Sequence, residues 1–303
     1  MHAEEIRIDS GIAGALIAEQ FPSYRHMQVV RLEGAGTANA IFRVGSGLTA
    51  RFGLRPADPE ILAEKLRAEA AAMREFASYC PYASPQPVGF GKPGRGYPLP
   101  WMLQTWLDGP VATPAGSAAS EALALDIVRL ISSLRAAPTQ ERFFDGSGRG
   151  GDLHGHDKWM SVCFARSEEL LDVPKLRRLW SRMRELPPAG PDVMSHRDLI
   201  PANLVLHGDR LSGVLDAGAF GPADPALDLI AAWHLFDRGP RNLIRAQLGC
   251  SEIEWKRGAA WAFQQAMGLV WYYRDTNPVM HDLGRSTLSR LLDDADLRSM
   301  AVP

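Results

Sequence analysis

Cysteine is scarce in this chain. Its 303 residues hold three, Cys80, Cys163 and Cys250, far apart, with no C-x-x-C pair and no histidine at ligand spacing. An odd, scattered set of thiols gives no disulfide framework and no thiolate metal site, and fits a reducing compartment. Long apolar runs are missing too: none approaches the ~20 residues that a bilayer-spanning helix needs. The opening Met1-His2-Ala3-Glu4-Glu5 is acidic and lacks an apolar core, so no signal peptide is expected and a cytoplasmic location is. Charge of one sign is lacking as well. The formal net charge is −2, which gives neither nucleic acid nor an anionic membrane a reason to bind. There is no internal repeat, and the only biased segment is a small Ala/Ser/Gly/Pro patch at 112–120.

What is present is an ordinary globular composition, 46% hydrophobic and 22% charged, in a chain long enough for two lobes. Helical spacing of Ile12, Leu16 and Ile17 behind Asp9 or Ser10 predicts a helix over 9–20. From 28 to 55 the period drops to two. Val29 to Leu32, Ala40 to Val44 and Leu48 to Phe52 read as three strands joined by Gly-rich turns. An amphipathic helix follows from Pro59 to about Ser78, then two strands at 86–91 and 101–107. Beyond Asp108-Gly109-Pro110 the spacing is mostly helical: 117–136, 157–171, 174–185, 225–237, 241–248, 252–274 and 282–293. The expectation is an α+β chain with a small β-rich lobe, 1–107, and a larger helical lobe, 108–303.

One stretch in the helical lobe carries chemistry. Ser195-His196-Arg197-Asp198-Leu199-Ile200-Pro201-Ala202-Asn203 matches H-R-D-L-x-x-x-N, and Asp216-Ala217-Gly218 follows 13 residues after the Asn as a D-x-G turn. The apolar runs Leu204 to Leu206 and Val214-Leu215 flank a hairpin turn at His207 to Arg210. This spacing suits phosphoryl transfer. Asp198 is placed to orient the attacking hydroxyl and take its proton, while Asn203 and Asp216 offer hard oxygens to Mg²⁺ shared with ATP or GTP. His196 reads as a structural member of the loop, bonding to nearby backbone, with Arg197 beside it in the same catalytic segment.

Position in the first lobe then assigns further residues. Arg51 stands on the third strand where a kinase places a lysine against the nucleotide phosphates, and its expected partner on the following helix is Glu69 ahead of Glu64. Gly34, Gly36 and Thr37 lie between the first two strands, where a loop covers the nucleotide with backbone N–H groups. Gln104 and Trp106 fall at the expected interlobe hinge. Asp224, ahead of Pro225, reads as a helix N-cap, and Asp228 recurs after it. For the acceptor, the candidates are Trp233, Trp271 and Tyr272 in the C-terminal helices and Asp152 and His154 in a polar run. The blander reading of all five is helical core plus a solvated loop. Two histidines at i, i+2 (His154 and His156) are a weak metal signal.

These segments resemble the aminoglycoside/macrolide phosphotransferase family, the antibiotic kinases that share the protein-kinase fold. The resemblance spans Gly34 to Phe42, Arg51, Glu69, Trp101 to Gly109, Ser195 to Leu206 and Gly213 to Leu229, and the last two are the specific ones. It implies a bilobal fold and transfer of the γ-phosphate of ATP or GTP, with Mg²⁺, to a hydroxyl of a small molecule such as an antibiotic, by a monomer or weak homodimer. A protein substrate is disfavoured, since Asp224 follows only eight positions after Asp216 and leaves no room for an activation segment. Two departures stand out: Arg197 occupies a position where the family commonly has glycine, and Ala217-Gly218-Ala219 lacks the usual aromatic. A metabolite kinase of the same fold, acting on a choline-, sugar- or homoserine-like alcohol, is the alternative. A nucleotide-binding pseudokinase fits the intact Asp198, Asn203 and Asp216 set least well.

Overall fold

The computed structural model describes residues 6–32 and 39–301. The proposed phosphate loop residues Gly34, Gly36 and Thr37 lie outside them. The chain divides into two compact units. The first takes the described residues up to Ser78, then Ala83–Asp108 and the short insert Asp216–Gly218; the second takes Tyr79–Tyr82, Gly109–Leu215 and the chain from Ala219.

The first unit is a five-stranded antiparallel sheet in the order β1 (Val29–Arg31), β2 (Asn39–Val44), β3 (Leu48–Gly53), β5 (Trp101–Thr105), β4 (Pro87–Gly91). Alternation sets its two faces. On β2, Ala40, Phe42 and Val44 are buried while Asn39, Ile41 and Arg43 are only partly so. The buried set joins Ala50, Phe52, Trp101 and Leu103 beneath helix α1 (Ser10–Gln20), which contributes Ala13, Leu16 and Ile17. Phe52 stacks on Trp101 with centroids 4.6 Å apart. Asp9 caps α1 by accepting the Ile12 N–H at 2.8 Å, as its side chain type predicts. Met102 points to the opposite face and packs with Ala70 and Met73 of α2 (Pro59–Tyr79). Arg51 pairs with Met102 across β3 and β5 and so belongs to the face that α2 covers.

The second unit is mainly helical: α3 (Pro114–Ser117), α4 (Glu121–Arg135), α5 (Asp157–Arg166), α6 (Val173–Met183), α7 (Ile230–Leu235), α8 (Arg238–Leu248), α9 (Glu252–Tyr272), α10 (Pro278–Asp293) and α11 (Ala295–Ala301). Between α6 and α7 lie two small antiparallel pairs, β6 (Val193–Ser195) with β9 (Gly221–Ala223), and the hairpin β7 (Leu204–His207) with β8 (Arg210–Val214). Asp126 of α4 pins the hairpin. It is buried, accepts Arg210 Nε at 2.7 Å and Nη2 at 2.6 Å, and takes the Leu211 N–H at 3.0 Å. Burial pushes its carboxyl up, but these bonds and one from Tyr82 outweigh that and hold it below the usual carboxylate range. The expected helix from 225 begins properly only at Ile230, after a 3₁₀ turn at Leu227–Leu229. Among the described residues, no helix is long and apolar enough to cross a membrane.

Candidate active site

In the first unit, Arg51 Nη1 stands 4.0 Å from Glu69 Oε2, and Nη2 stands 3.9 Å from Asp216 Oδ1. Glu69, not the exposed Glu64, therefore meets the arginine. Both contacts are ion pairs too long for hydrogen bonds. Glu69 Oε2 is buried and accepts no hydrogen bond among the described residues. A cation held this loosely between two carboxylates keeps N–H groups available for an anion. Asp216 has a left-handed φ of 58° and a half-exposed side chain. Gly218 sits against Glu69, where an added Cβ would come within 3.4 Å of its side chain, so an Ala-Gly-Ala turn suits this tight approach. At the predicted hinge, Gln104 lies on β5 with a buried Oε1 that has no partner among the described residues. Trp106 donates its backbone N–H to Gly47 O at 2.8 Å, and Arg43 lies 5.0 Å over its ring.

In the second unit, β6 delivers the loop Ser195 to Asn203. Asp228, buried, accepts two successive backbone N–H groups: His196 N on Oδ2 at 2.9 Å and Arg197 N on Oδ1 at 3.1 Å. His196 is fully buried; Nε2 lies 2.8 Å from Leu215 O and Nδ1 accepts the Asp198 N–H at 3.3 Å. Its role is to tie the loop to the residue just before Asp216. Asn203 donates Nδ2 to Asp198 O at 2.9 Å, and Leu215 N donates to Asn203 O at 2.8 Å. The amide of Asn203 thus has its nitrogen engaged, and its oxygen accepts no hydrogen bond among the described residues.

Arg197 adopts φ 71°, the left-handed region that favours glycine, which accounts for glycine being common there in the family it resembles. Its guanidinium is held by the segment 144–147. It meets Asp145 Oδ1 at 3.1 Å and Ser147 O, and lies 4.9 Å over Phe144. Asp145 is held below the usual carboxylate range, first by the Ser147 N–H and then by Arg197. Arg197 thus braces the segment 144–147 with its side chain, while its backbone belongs to the loop of Asp198.

Two residues beside Asp198 escaped the sequence reading. Arg149 Nη2 lies 2.5 Å from Asp198 Oδ1, and Gln265 Nε2 donates to the same oxygen at 2.9 Å. The available signals were a lone charge in the Gly-rich run Gly146 to Gly151 and a polar pair, Gln264-Gln265, inside the otherwise apolar stretch Gly258 to Tyr272.

The proposed acceptor residues do not form one group. Trp233 is fully buried, packed on Trp255 and 4.4 Å from Arg241, so it is core. The indole's apolar area outweighs any surface role there. Trp271 and Tyr272 end α9, with Trp159 5.8 Å from Trp271 and Tyr272 partly exposed. Asp152 accepts the His154 N–H at 3.0 Å, and His154 bridges Asp152 and Glu185 at 3.1 and 3.2 Å. That pairing lowers Asp152 and raises His154, as a solvated ion cluster does. Asp224 does accept the Ala226 N–H, at 2.9 Å, but its other oxygen is buried on Arg257 and Trp261. No cluster of three or more His, Cys, Asp or Glu side chains suited to a metal occurs among the described residues.

A five-stranded antiparallel sheet with an Arg–Glu pair, and a helical unit presenting an H-R-D loop, define the class of protein-kinase-like phosphotransferases. The model of the phosphotransferase enzyme family matches residues 29–261, and the chain belongs to that family. Membership makes it a phosphotransferase. Among solved structures, the GDP complex of aminoglycoside 2'-phosphotransferase-IIIa aligns over 93% of this chain and 98% of its own, with a TM-score of 0.66 at 17% identity. The gentamicin complex of APH(2")-IIa covers 96% and 99%, with a TM-score of 0.63 at 16% identity. The macrolide 2'-phosphotransferase MphH from Brachybacterium faecium covers 92% and 98%, with a TM-score of 0.59 at 16% identity. The comparison with curated proteins found no match.

Proposed function

We propose that this protein transfers the γ-phosphate of ATP or GTP to a hydroxyl of an antibiotic. The observation that carries this reading is the restrained loop at Asp198. Asp228, His196 and Asn203 fix its backbone, and Asp198 Oδ2 accepts no hydrogen bond among the described residues. A carboxylate oxygen left open on a rigid loop suits a base that orients a hydroxyl and receives its proton late in a loose transition state. Residues up to 107 serve as the nucleotide lobe, where Arg51, set by Glu69, binds phosphate oxygens and Gln104 and Trp106 border the base. Residues 108–303 serve as the catalytic and acceptor lobe.

Asn203 Oδ1 and the Asp216 carboxylate are hard donors that fit Mg²⁺, and Leu215 joins them in sequence through its bond to Asn203. When bound, the ion neutralises charge on the nucleotide phosphates. The similarity to structures of aminoglycoside and macrolide kinases, some of them GDP or antibiotic complexes, supports a nucleotide donor and a small-molecule acceptor.

The test is a mass-spectrometric screen of mixed antibiotics with Mg²⁺ and each nucleotide. A product heavier by one phosphate is expected, lost in Asp198→Ala while nucleotide binding persists. Equal turnover by Asp198→Ala overturns the mechanism. A product from a metabolic alcohol and none from any antibiotic assigns the enzyme to metabolism.

A further inference from the structure

The loop 145–151 has no part in the chemistry assigned so far, yet it ends on the catalytic carboxylate. Arg149, three-quarters buried, meets Asp198 Oδ1 at 2.5 Å. Gln265 donates to that same atom, and its Oε1 lies 3.1 Å from Nε2 of the fully buried His234, which leaves the amide nitrogen for Asp198. Among the described residues, two donors from different elements therefore converge on Oδ1 and none on Oδ2.

The loop carrying Arg149 is fastened on both sides. Before it, Arg197 holds the Asp145 carboxylate and Ser147 O, with its guanidinium over Phe144. After it, Gly150 O accepts the Asp224 N–H at 2.7 Å, and Gly151 O accepts Arg257 Nη2 at 3.2 Å. Gly150 has φ 125°, and a Cβ there would come 2.7 Å from the Ala223 Cβ, so only glycine lets the loop lie this close to β9.

We propose that Arg149 is a positioning residue for phosphoryl transfer: with Gln265 it clamps Oδ1 of Asp198 so that Oδ2 alone meets the acceptor hydroxyl, and Arg197 is present, at a backbone position suited to glycine, because it holds the loop that delivers Arg149. The inference rests on Asp198 being the base. A carboxylate free to rotate offers its open oxygen in many orientations, whereas one held on Oδ1 offers it in one. The strain at Arg197 is offset by its charge-assisted bonds to the loop. The arrangement makes one device of two features that are separate in sequence: an arginine in a glycine-rich run and an arginine beside the catalytic aspartate.

The experiment uses the full-length protein and two readouts. The first needs no turnover: a stability double-mutant cycle of Arg149→Ala with Asp198→Ala, measured by denaturant unfolding. The two changes are expected to be non-additive, because each removes the same contact. The second is turnover with the acceptor found, or water as acceptor in the Mg²⁺-nucleotide assay. Arg149→Ala is expected to lower kcat about 10–100-fold with little change in nucleotide KM, and added guanidinium ion to restore part of it. Arg149→Lys should retain more activity than Arg149→Ala. Arg197→Gly should lose kcat as well, with Arg149→Ala adding little on top. Additive stabilities, or an unchanged kcat in an enzyme that requires Asp198, overturn the proposal. Turnover that does not need Asp198 overturns instead the assignment of the base, while the stability cycle still decides whether the clamp exists.

Discussion

Asp224 and Arg257 meet inside the helical unit as an ion pair in which both side chains are 4% exposed, with Arg257 Nε 2.7 Å from Asp224 Oδ2. The pair is fully coordinated: Trp261 Nε1 reaches the same carboxylate oxygen, and Arg257 also donates to Leu186 O, Pro187 O and Gly151 O. The pair thus ties α9, β9, the segment after α6 and the loop of Arg149 at one point.

Removing one partner leaves the other charge buried alone, a cost of about 3–5 kcal/mol. Arg257→Met is expected to lower unfolding stability by that order in a denaturant titration. The double change Arg257→Met with Asp224→Asn should recover part of the loss.

Asp228 supports the loop through two N–H groups at once. Asp228→Ala leaves both without an acceptor, each costing about 1–3 kcal/mol. Both stability and kcat should fall, and Asp228→Asn, which keeps one acceptor oxygen, should fall between. Equilibrium unfolding together with initial rates checks this.

Arg51 is oriented by Glu69, while Glu64 is exposed on the same helix. Glu69→Ala is expected to weaken Mg²⁺-nucleotide binding by about tenfold, roughly 1.4 kcal/mol, and Glu64→Ala to leave it unchanged. Calorimetric titration of the nucleotide separates the two.

His234 titrates at about 4, because burial disfavours the imidazolium. The unfolded chain takes up this proton near pH 6.5 and the folded chain only near 4. Stability is therefore complete above pH 6.5 and falls as the pH drops towards 4, by up to about 3 kcal/mol from this group. Unfolding curves at pH 7 and pH 5 should show the loss, and a His234→Gln variant should show less of it.

The parts of this architecture legible in sequence are those where one short segment sets the geometry. Period-two burial on β2, with Arg51 opposite its half-buried Ile41, fixes the face of Arg51, and position along α2 picks Glu69. The segment from His196 to Asn203 closes its own hydrogen bonds within eight residues, Asp198 N–H on His196 and Asn203 Nδ2 on Asp198 O. Arg149 and Gln265 were missed because they reach Asp198 from elements 49 and 67 residues away, which no local pattern links. Trp233 is open to two readings in sequence, acceptor pocket or helical core, because an aromatic on a helix signals binding or burial equally; the packing of α7 decides for core. The pair β6 and β9 escaped notice because three residues are too few to show a period.

Leu215 has both peptide groups engaged, its N–H on Asn203 O and its carbonyl facing His196 Nε2. What matters at this position is the main chain rather than the side chain. Proline is barred here, because it has no amide hydrogen to give Asn203 O. Part of the constraint on this position is therefore written in the peptide bond, where the choice of side chain carries no record of it.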